Sequence, residues 1–293
     1  MIPSMDNGSV RSMLLRGAAL LIENGVPNAR RNAEWLLCHS LGCSTLDLYT
    51  HSGRWPADDQ ASVFWQNVHR RANREPLQYI LGATEFMSRP FVVPTGVFVP
   101  RPDTEILVEL AEARLRRMPL ERSLEILDLC CGSGVVAVSL TARIPNLNAI
   151  AVDACALAVA TTQKNARRNG VDDRITAVEA DVIRYLSSDD HEVSAVLCNP
   201  PYIVTKELSS LPPEVSDHEP RAALDGGPDG LDFYRAVTPK LAGRLRPGGF
   251  AAFEIGDDQG AAVGGMMTEA GLVDVSVSPD FAGRDRVVVG VMH

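Results

Sequence analysis

Apolar positions along this chain change their period near residue 90, and the change divides the molecule. Val10, Met13, Leu14, Ala18, Leu21 and Ile22 recur at helical spacing, and Asn24-Gly25 ends the run. Pro27-Asn28 opens a second helix through Trp35, Leu36 and Leu37 to Leu41, closed by Gly42. A third helix is expected from Asp58 to about Arg74, with Val63, Phe64, Val68 and Ala72 on its apolar side and Glu75-Pro76 beyond it. Together these predict a small helical bundle. Phe91–Val93, Pro94-Thr95-Gly96 and Val97–Val99 then read as strand, turn and strand. Pro100 to Glu105 opens another helix, with Asp103 or Thr104 as its cap.

From Leu124 onward, short apolar runs alternate with helical stretches. Strands are predicted at 124–129, 148–152, 175–179, 193–198, 250–255, 272–278 and 286–292. Helices fit between them near 134–143, 155–169, 231–245 and 257–270. Such alternation predicts a mostly parallel sheet covered on both faces. The link from Pro279 to Asp285 is too short for a helical crossover, so the final strand is expected to run antiparallel.

Composition narrows the class. The 293 residues are 45% hydrophobic and 22% charged, as in an ordinary globular protein. No apolar run approaches the ~20 residues of a membrane span. Met1–Ser9 show no basic segment followed by an apolar core, so a cytoplasmic location is the expectation. The six cysteines (Cys38, Cys43, Cys130, Cys131, Cys155 and Cys198) form no C-x-x-C pair, and no histidines stand at zinc spacing. Reduced thiols and no metal are therefore expected. Residues 1–90 carry 9 Lys+Arg against 8 Asp+Glu, whereas the remainder carries 19 against 29. An acidic second half is a poor match for bare DNA, so no direct DNA binding is expected.

Two stretches carry candidate chemistry. Asn199-Pro200-Pro201-Tyr202 follows the apolar run Val193–Cys198. Paired prolines stop a strand and fix the backbone beyond it. An amide and a phenol are thereby held at the carboxyl end of a strand, where open α/β sheets place their ligands. The Asn199 oxygen and the Pro200 carbonyl can each accept one N–H of a planar NH2 group, and the Tyr202 ring can lie against it. The second stretch, Cys130-Cys131-Gly132-Ser133-Gly134, follows the first strand of the sheet, where glycines let a ligand approach the backbone. Asp153 ends the next strand, 19 residues after Gly134, placed to take a ribose hydroxyl pair. Asp181 ends the third strand and can reach an adenine amino group, directly or through the backbone beside it.

Gly132-x-Gly134-x-x-Ala137 also fits a loose dinucleotide fingerprint. Three features oppose a nicotinamide enzyme. No catalytic His, Lys or Tyr-x-x-x-Lys set stands out, the last strand is expected antiparallel, and the fourth strand ends in Asn-Pro-Pro-Tyr. Together they favour S-adenosylmethionine.

With these motifs the chain resembles the peptide chain release factor glutamine methyltransferases, the PrmC/HemK family. The resemblance spans nearly the whole sequence. It includes Glu75–Gly82, Glu85-Phe86, Val99–Glu105, Glu219-Pro220 and Ala223–Leu231. It includes Glu254-Ile255-Gly256 with Gln259, and Gly283–Arg286. It implies a class I methyltransferase fold, Rossmann-like, with a seven-stranded sheet, an antiparallel last strand and a small N-terminal helical bundle. It further implies a helical substrate-recognition domain over 1–85, a β-hairpin linker over 86–100 and the methyltransferase domain over 101–293.

The activity implied is methyl transfer from S-adenosylmethionine to the side-chain amide nitrogen (N5) of the glutamine in the Gly-Gly-Gln motif of class I release factors. By position, Cys130, Cys131, Gly132, Ser133, Gly134, Asp153, Val182 and Asn199 line the cofactor site, and Asn199, Pro200, Pro201 and Tyr202 hold the glutamine. Asn199, Pro200 and Tyr202 carry the catalytic positioning. Cys130-Cys131 stands where many relatives have glycine and a small residue, which predicts ordinary backbone angles there. Asn-Pro-Pro-Tyr is shared with DNA adenine-N6 methyltransferases, the competing reading. Such an enzyme would need a target-recognition domain and a basic cleft.

Overall fold

The computed structural model describes residues 8–118, 123–188 and 191–293. It divides into two compact units. One runs through Gly82 and takes in Pro212–His218, and the other holds Ala83–Leu211 and Glu219–His293.

The first unit is helical: α1 (Val10–Glu23), α2 (Ala29–Leu41), α3 (Thr45–Thr50), α4 (Asp58–Ala72) and α5 (Leu77–Leu81). Ser9 and Ser44 cap α1 and α3 with their hydroxyls, and Gly42 ends α2 at φ +63°. The core is Met13, Leu21, Leu36, Leu37, Phe64 and Val68, all buried. At Gly17 a Cβ would sit 2.7 Å from the Phe64 ring, so glycine there admits the ring of α4 against α1. Segment 212–218 joins this unit through Glu214, which takes hydrogen bonds from Arg71 and Arg74 at 2.8 and 2.5 Å.

The second unit opens with a hairpin, β1 (Ala83–Phe86) and β2 (Arg89–Val92), followed by α6 (Thr104–Leu115). This hairpin lies earlier than the hydrophobic pattern predicts. Its turn is Met87-Ser88, both at positive φ, while Pro94–Val97 forms a turn that leads to no paired strand. The remaining elements are β3 (Leu124–Leu129), α7 (Val135–Arg143), β4 (Leu147–Asp153), α8 (Ala156–Arg168), β5 (Ile175–Glu179), α9 (Val182–Ser188) and β6 (Val193–Cys198). They are followed by α10 (Pro213–Ser216, in the first unit), α11 (Asp232–Val237), β7 (Leu245–Glu254), α12 (Gly260–Glu269), β8 (Leu272–Pro279) and β9 (Asp285–Met292).

The seven strands order as β5-β4-β3-β6-β7-β9-β8. β3 to β7 are parallel, and β9 pairs antiparallel with both β7 and β8. Alternate residues of each strand feed two cores. Ile126, Ala195 and Leu197 pack with α6 and α7, and Leu127, Val196 and Cys198 pack with α9, α11 and α12. Burial on both faces explains why these strands read as continuous apolar runs. The helix predicted over 231–245 stops at Val237 and continues as 3-10 turns over Thr238–Gly243, since Pro239 cannot supply an α-helical N–H. Among the described residues, no helix is long and apolar enough to cross a membrane.

Candidate active site

Strand order places the chemistry. β4 and β5 extend to one side of β3, and β6 and β7 to the other, so the β3/β6 boundary is the topological switch point. Leu129 and Cys198 are register partners across it. The loop 130–134 and the corner 199–202 therefore leave adjacent strands side by side.

The loop is held by its backbone. Cys131 N donates to Val152 O at 3.1 Å, and Gly134 N to Cys131 O at 2.7 Å. Asp153 accepts from Gly132 N and Cys155 N, one carboxylate oxygen each, at 2.9 Å. From α8, Thr162 donates to Gly132 O at 3.1 Å, and Asn165 donates to Ser133 O at 2.9 Å. Asn165 also exchanges hydrogen bonds with both backbone groups of Val92. Gly134 has φ +78°, and a Cβ there would stand 2.8 Å from Thr162. Cys130 departs from its expectation: φ is +55°, in the left-handed region that favours glycine. Beneath the loop, buried Asp128 accepts from Ala137 N at 3.0 Å and anchors the first turn of α7. Burial pushes its carboxyl up to about 7; the Ala137 N–H pulls it down and the Asp153 charge adds to the rise.

These residues fit the ribose and sulfonium end of S-adenosylmethionine. Each Asp153 oxygen keeps a second lone pair beyond its backbone bond. Space in front of Gly132 is clear, since a Cβ there meets nothing within 4 Å. The Ser133 hydroxyl is buried without a hydrogen-bond partner among the described residues, and loop 130–134 leads into the N-terminus of α7. Asp181 lies two residues beyond β5, where its carboxylate accepts from Arg184 N at 2.9 Å and starts α9. Val182 is buried in that first turn. Neither is bonded to the loop.

The corner is held by side chains. Asn199 Nδ2 donates to Thr104 Oγ1 at 3.0 Å. Among the described residues no group engages the Asn199 oxygen or the Pro200 carbonyl. The Tyr202 hydroxyl points inward to Glu254 Oε1, at 3.4 Å. Gln259 donates to the carbonyls of Tyr202 (3.0 Å) and Gly230 (3.2 Å) and accepts from Gly256 N (2.9 Å). A Cβ at Gly226 would sit 2.7 Å from Tyr202 Cα, so the 224–230 segment closes directly over the corner. Glu219 accepts from Val99 N and pairs with Arg101, which lies over the Phe98 ring.

Glu254 is 1% exposed, and its Oε2 has no hydrogen-bond partner among the described residues. Burial pushes its carboxyl up to about 7, with the Asp103 charge adding to the rise; the Thr104 hydroxyl, Arg286 and the Tyr202 hydroxyl draw it down. Burial and the Glu254 charge raise the Tyr202 phenol, which stays neutral.

The two motifs read from sequence thus come together at the switch point. Thr104, Gln259 and Asn165 were not singled out for the site. Of the two caps expected from sequence, Asp103 holds the N-cap position, and the Thr104 hydroxyl faces Asn199.

The sequence is similar to those of known proteins. Residues 12–82 match the PrmC N-terminal domain family, and residues 102–211 match the methyltransferase small domain family. The release factor glutamine methyltransferase of Geobacter sulfurreducens is 42% identical over 282 residues, covering 96% of each chain. That of Moorella thermoacetica is 41% identical over 279 residues, covering 95% of this chain and 96% of its own. A solved release factor-specific protein-(glutamine-N5) methyltransferase from Alicyclobacillus acidocaldarius aligns with a TM-score of 0.43 at 28% identity. It covers 67% of this chain and 94% of its own.

Proposed function

The chain belongs to the release factor glutamine methyltransferase family, and from that premise we propose that it methylates the side-chain nitrogen of the Gly-Gly-Gln glutamine of class I release factors. S-adenosylmethionine, when bound, supplies an electrophilic sulfonium methyl. Loop 130–134 and Asp153 would hold it, with the Ser133 hydroxyl beside them and Asp181 and Val182 on the adenine side. The observation that carries the reading is the Asn199 amide, whose NH2 group is committed to Thr104. Its oxygen and the Pro200 carbonyl are left as a pair of acceptors on a rigid corner.

An amide nitrogen is a weak nucleophile, because its lone pair is delocalised into the carbonyl. Two acceptors on its two N–H bonds fix the plane of the amide and turn the nitrogen toward the donor. Positioning of this kind is worth several kcal/mol. The same acceptors stabilise positive charge as it grows on the nitrogen during transfer. Pro201 keeps the turn rigid, and the Tyr202 ring, pinned by its hydroxyl on Glu254, forms the flat wall beside the amide. The surplus proton leaves to water after transfer. The acceptors of the corner do not remove it.

The first unit, with its near-balanced charge, recognises the release factor as a folded protein, and a cytoplasmic site of action follows from that substrate. Labelled S-adenosylmethionine tests the whole reading. An intact release factor should be labelled, while its Gln→Ala form and duplex DNA should stay blank. Labelling of duplex DNA, or equal labelling of both factors, would overturn it.

A further inference from the structure

The prolines stiffen only the first half of the corner. Pro200 and Pro201 have φ set by their rings, and the residue before each proline is driven to extended backbone. Asn199 and Pro200 are stiff for that reason. The free torsions begin after Pro201, so Tyr202 and the chain beyond it need a hold from outside. The Tyr202 hydroxyl is held on Glu254, and its carbonyl is held by Gln259.

Gln259 is buried at the N-cap of α12. Its amide meets backbone groups of three separate segments. Oε1 accepts from Gly256 N at 2.9 Å, and Nε2 donates to Tyr202 O at 3.0 Å and to Gly230 O at 3.2 Å. The partners fix which way this amide points, because a backbone N–H only donates and a carbonyl only accepts. Both of its N–H bonds are used. The base of this strut is anchored in turn. Ile255 N donates to Arg286 O at 2.9 Å, and the Arg286 guanidinium donates to Ile255 O at 3.0 Å.

The other end of the strut meets a strap, segment 224–230, laced along the chain that leaves the corner. Ile203 N donates to Leu224 O at 2.9 Å, Gly226 N to Ile203 O at 2.8 Å, and Thr205 N to Gly227 O at 2.9 Å. The Thr205 hydroxyl donates to Asp225 at 2.6 Å. A Cβ at Gly230 would stand 2.5 Å from both Gln259 Nε2 and Tyr202 O, so strut, strap and corner meet without a side chain between them. Capping α12 needs only the bond from Gly256 N. The two donated bonds go to the corner and to the strap. Resting on the functional reading above, we infer that Gln259 is a positioning residue: it locks the Tyr202 peptide to strap 224–230, and so holds the wall beside the substrate amide in the orientation that transfer requires.

The test uses the full chain, saturating S-adenosylmethionine and an intact release factor. Gln259→Glu keeps the size of the side chain and an oxygen for the Gly256 N–H, but sets oxygen against the two carbonyls. A residue that only capped α12 would tolerate this change, since helix N-termini favour acidic groups. Here kcat should fall about 10- to 100-fold, with the release factor KM held within about threefold and donor affinity, by calorimetry, within about twofold. Gln259→Met keeps the length, carries no charge and forms none of the three bonds, and its kcat should fall by a similar factor. Wild-type kcat in either variant overturns the inference. A rise in KM at unchanged kcat also overturns it, since the strap would then be a docking surface. A matching loss of donor affinity overturns it as well, since Gln259 would then support the whole end of the sheet. All three outcomes leave the functional reading standing, provided the wild type labels the release factor. A wild type that labels none overturns that reading and the inference with it.

Discussion

The loop after β3 and the corner after β6 stand side by side, but they are held by different kinds of atoms. In the loop the anchored groups are main-chain N–H and C=O, gripped by Asp153, Thr162 and Asn165. In the corner the anchored groups include the side chains of Asn199 and Tyr202, gripped by Thr104 and Glu254. Each half also sits on one buried carboxyl raised to about 7, Asp128 under the loop and Glu254 under the corner. Asp128 faces a backbone N–H, a donor that cannot reverse. Glu254 faces the Tyr202 hydroxyl, which can. In the loop Cys130 takes a left-handed φ, whereas in the corner the side chains themselves are what is held.

The largest expected effect follows from that contrast. Asn199→Ala removes the acceptor oxygen and leaves the substrate amide free to rotate. Turnover should fall at least a hundredfold, about 3 kcal/mol, while donor affinity falls much less. Single-turnover labelling of a release factor measures it. Near-normal turnover would remove the corner from the chemistry.

Next comes the loop itself. Gly134→Ala puts a Cβ 2.8 Å from Thr162 at φ +78°. Displacing Thr162 also breaks its bond to Gly132 O. The combined strain and overpacking should cost about 2–3 kcal/mol of stability and weaken donor binding. Urea denaturation followed by calorimetry would show it, and an unchanged midpoint would mean that the loop has room to adjust.

Asp153→Ala should act on affinity alone. The lost charged hydrogen bonds are worth about 1–3 kcal/mol in donor binding, and the release of Gly132 N adds to the loss. At saturating donor, turnover should stay near wild type. If kcat fell as far as in Asn199→Ala, the division into a binding half and an orienting half would not hold.

Both motifs were legible in the sequence because each is local: a glycine-bearing loop after one strand, and a proline-fixed corner after another. What holds them was not. Thr104 reaches Asn199 across 95 residues and Asn165 reaches Val92 across 73, so neither role leaves a trace in local pattern. The order of the strands along the chain and the antiparallel ending were readable from run lengths and linker lengths. The hairpin was misplaced because its turn, Met87-Ser88, lacks the glycine or asparagine that marks positive φ, while Pro94-Thr95-Gly96 carries such a mark. Helices α3, α5 and α9 are of 5 to 7 residues, too short to develop a helical period.

The smallest effect is shared by the two buried carboxyls. In an unfolded chain Asp128 and Glu254 titrate near 4; in the fold both are raised to about 7. Between those values the native state holds more protons than the unfolded one. Their contribution to stability is therefore fully present below the unfolded values and is lost as pH rises toward 7. Each group gives a slope of at most about 1.4 kcal/mol per pH unit. Asp128→Asn and Glu254→Gln should each flatten the decline by about 1 kcal/mol per unit in urea titrations from pH 5 to 6.5. In stability the two carboxyls thus behave alike. A decline in stability that neither substitution flattens would mean that other groups set it.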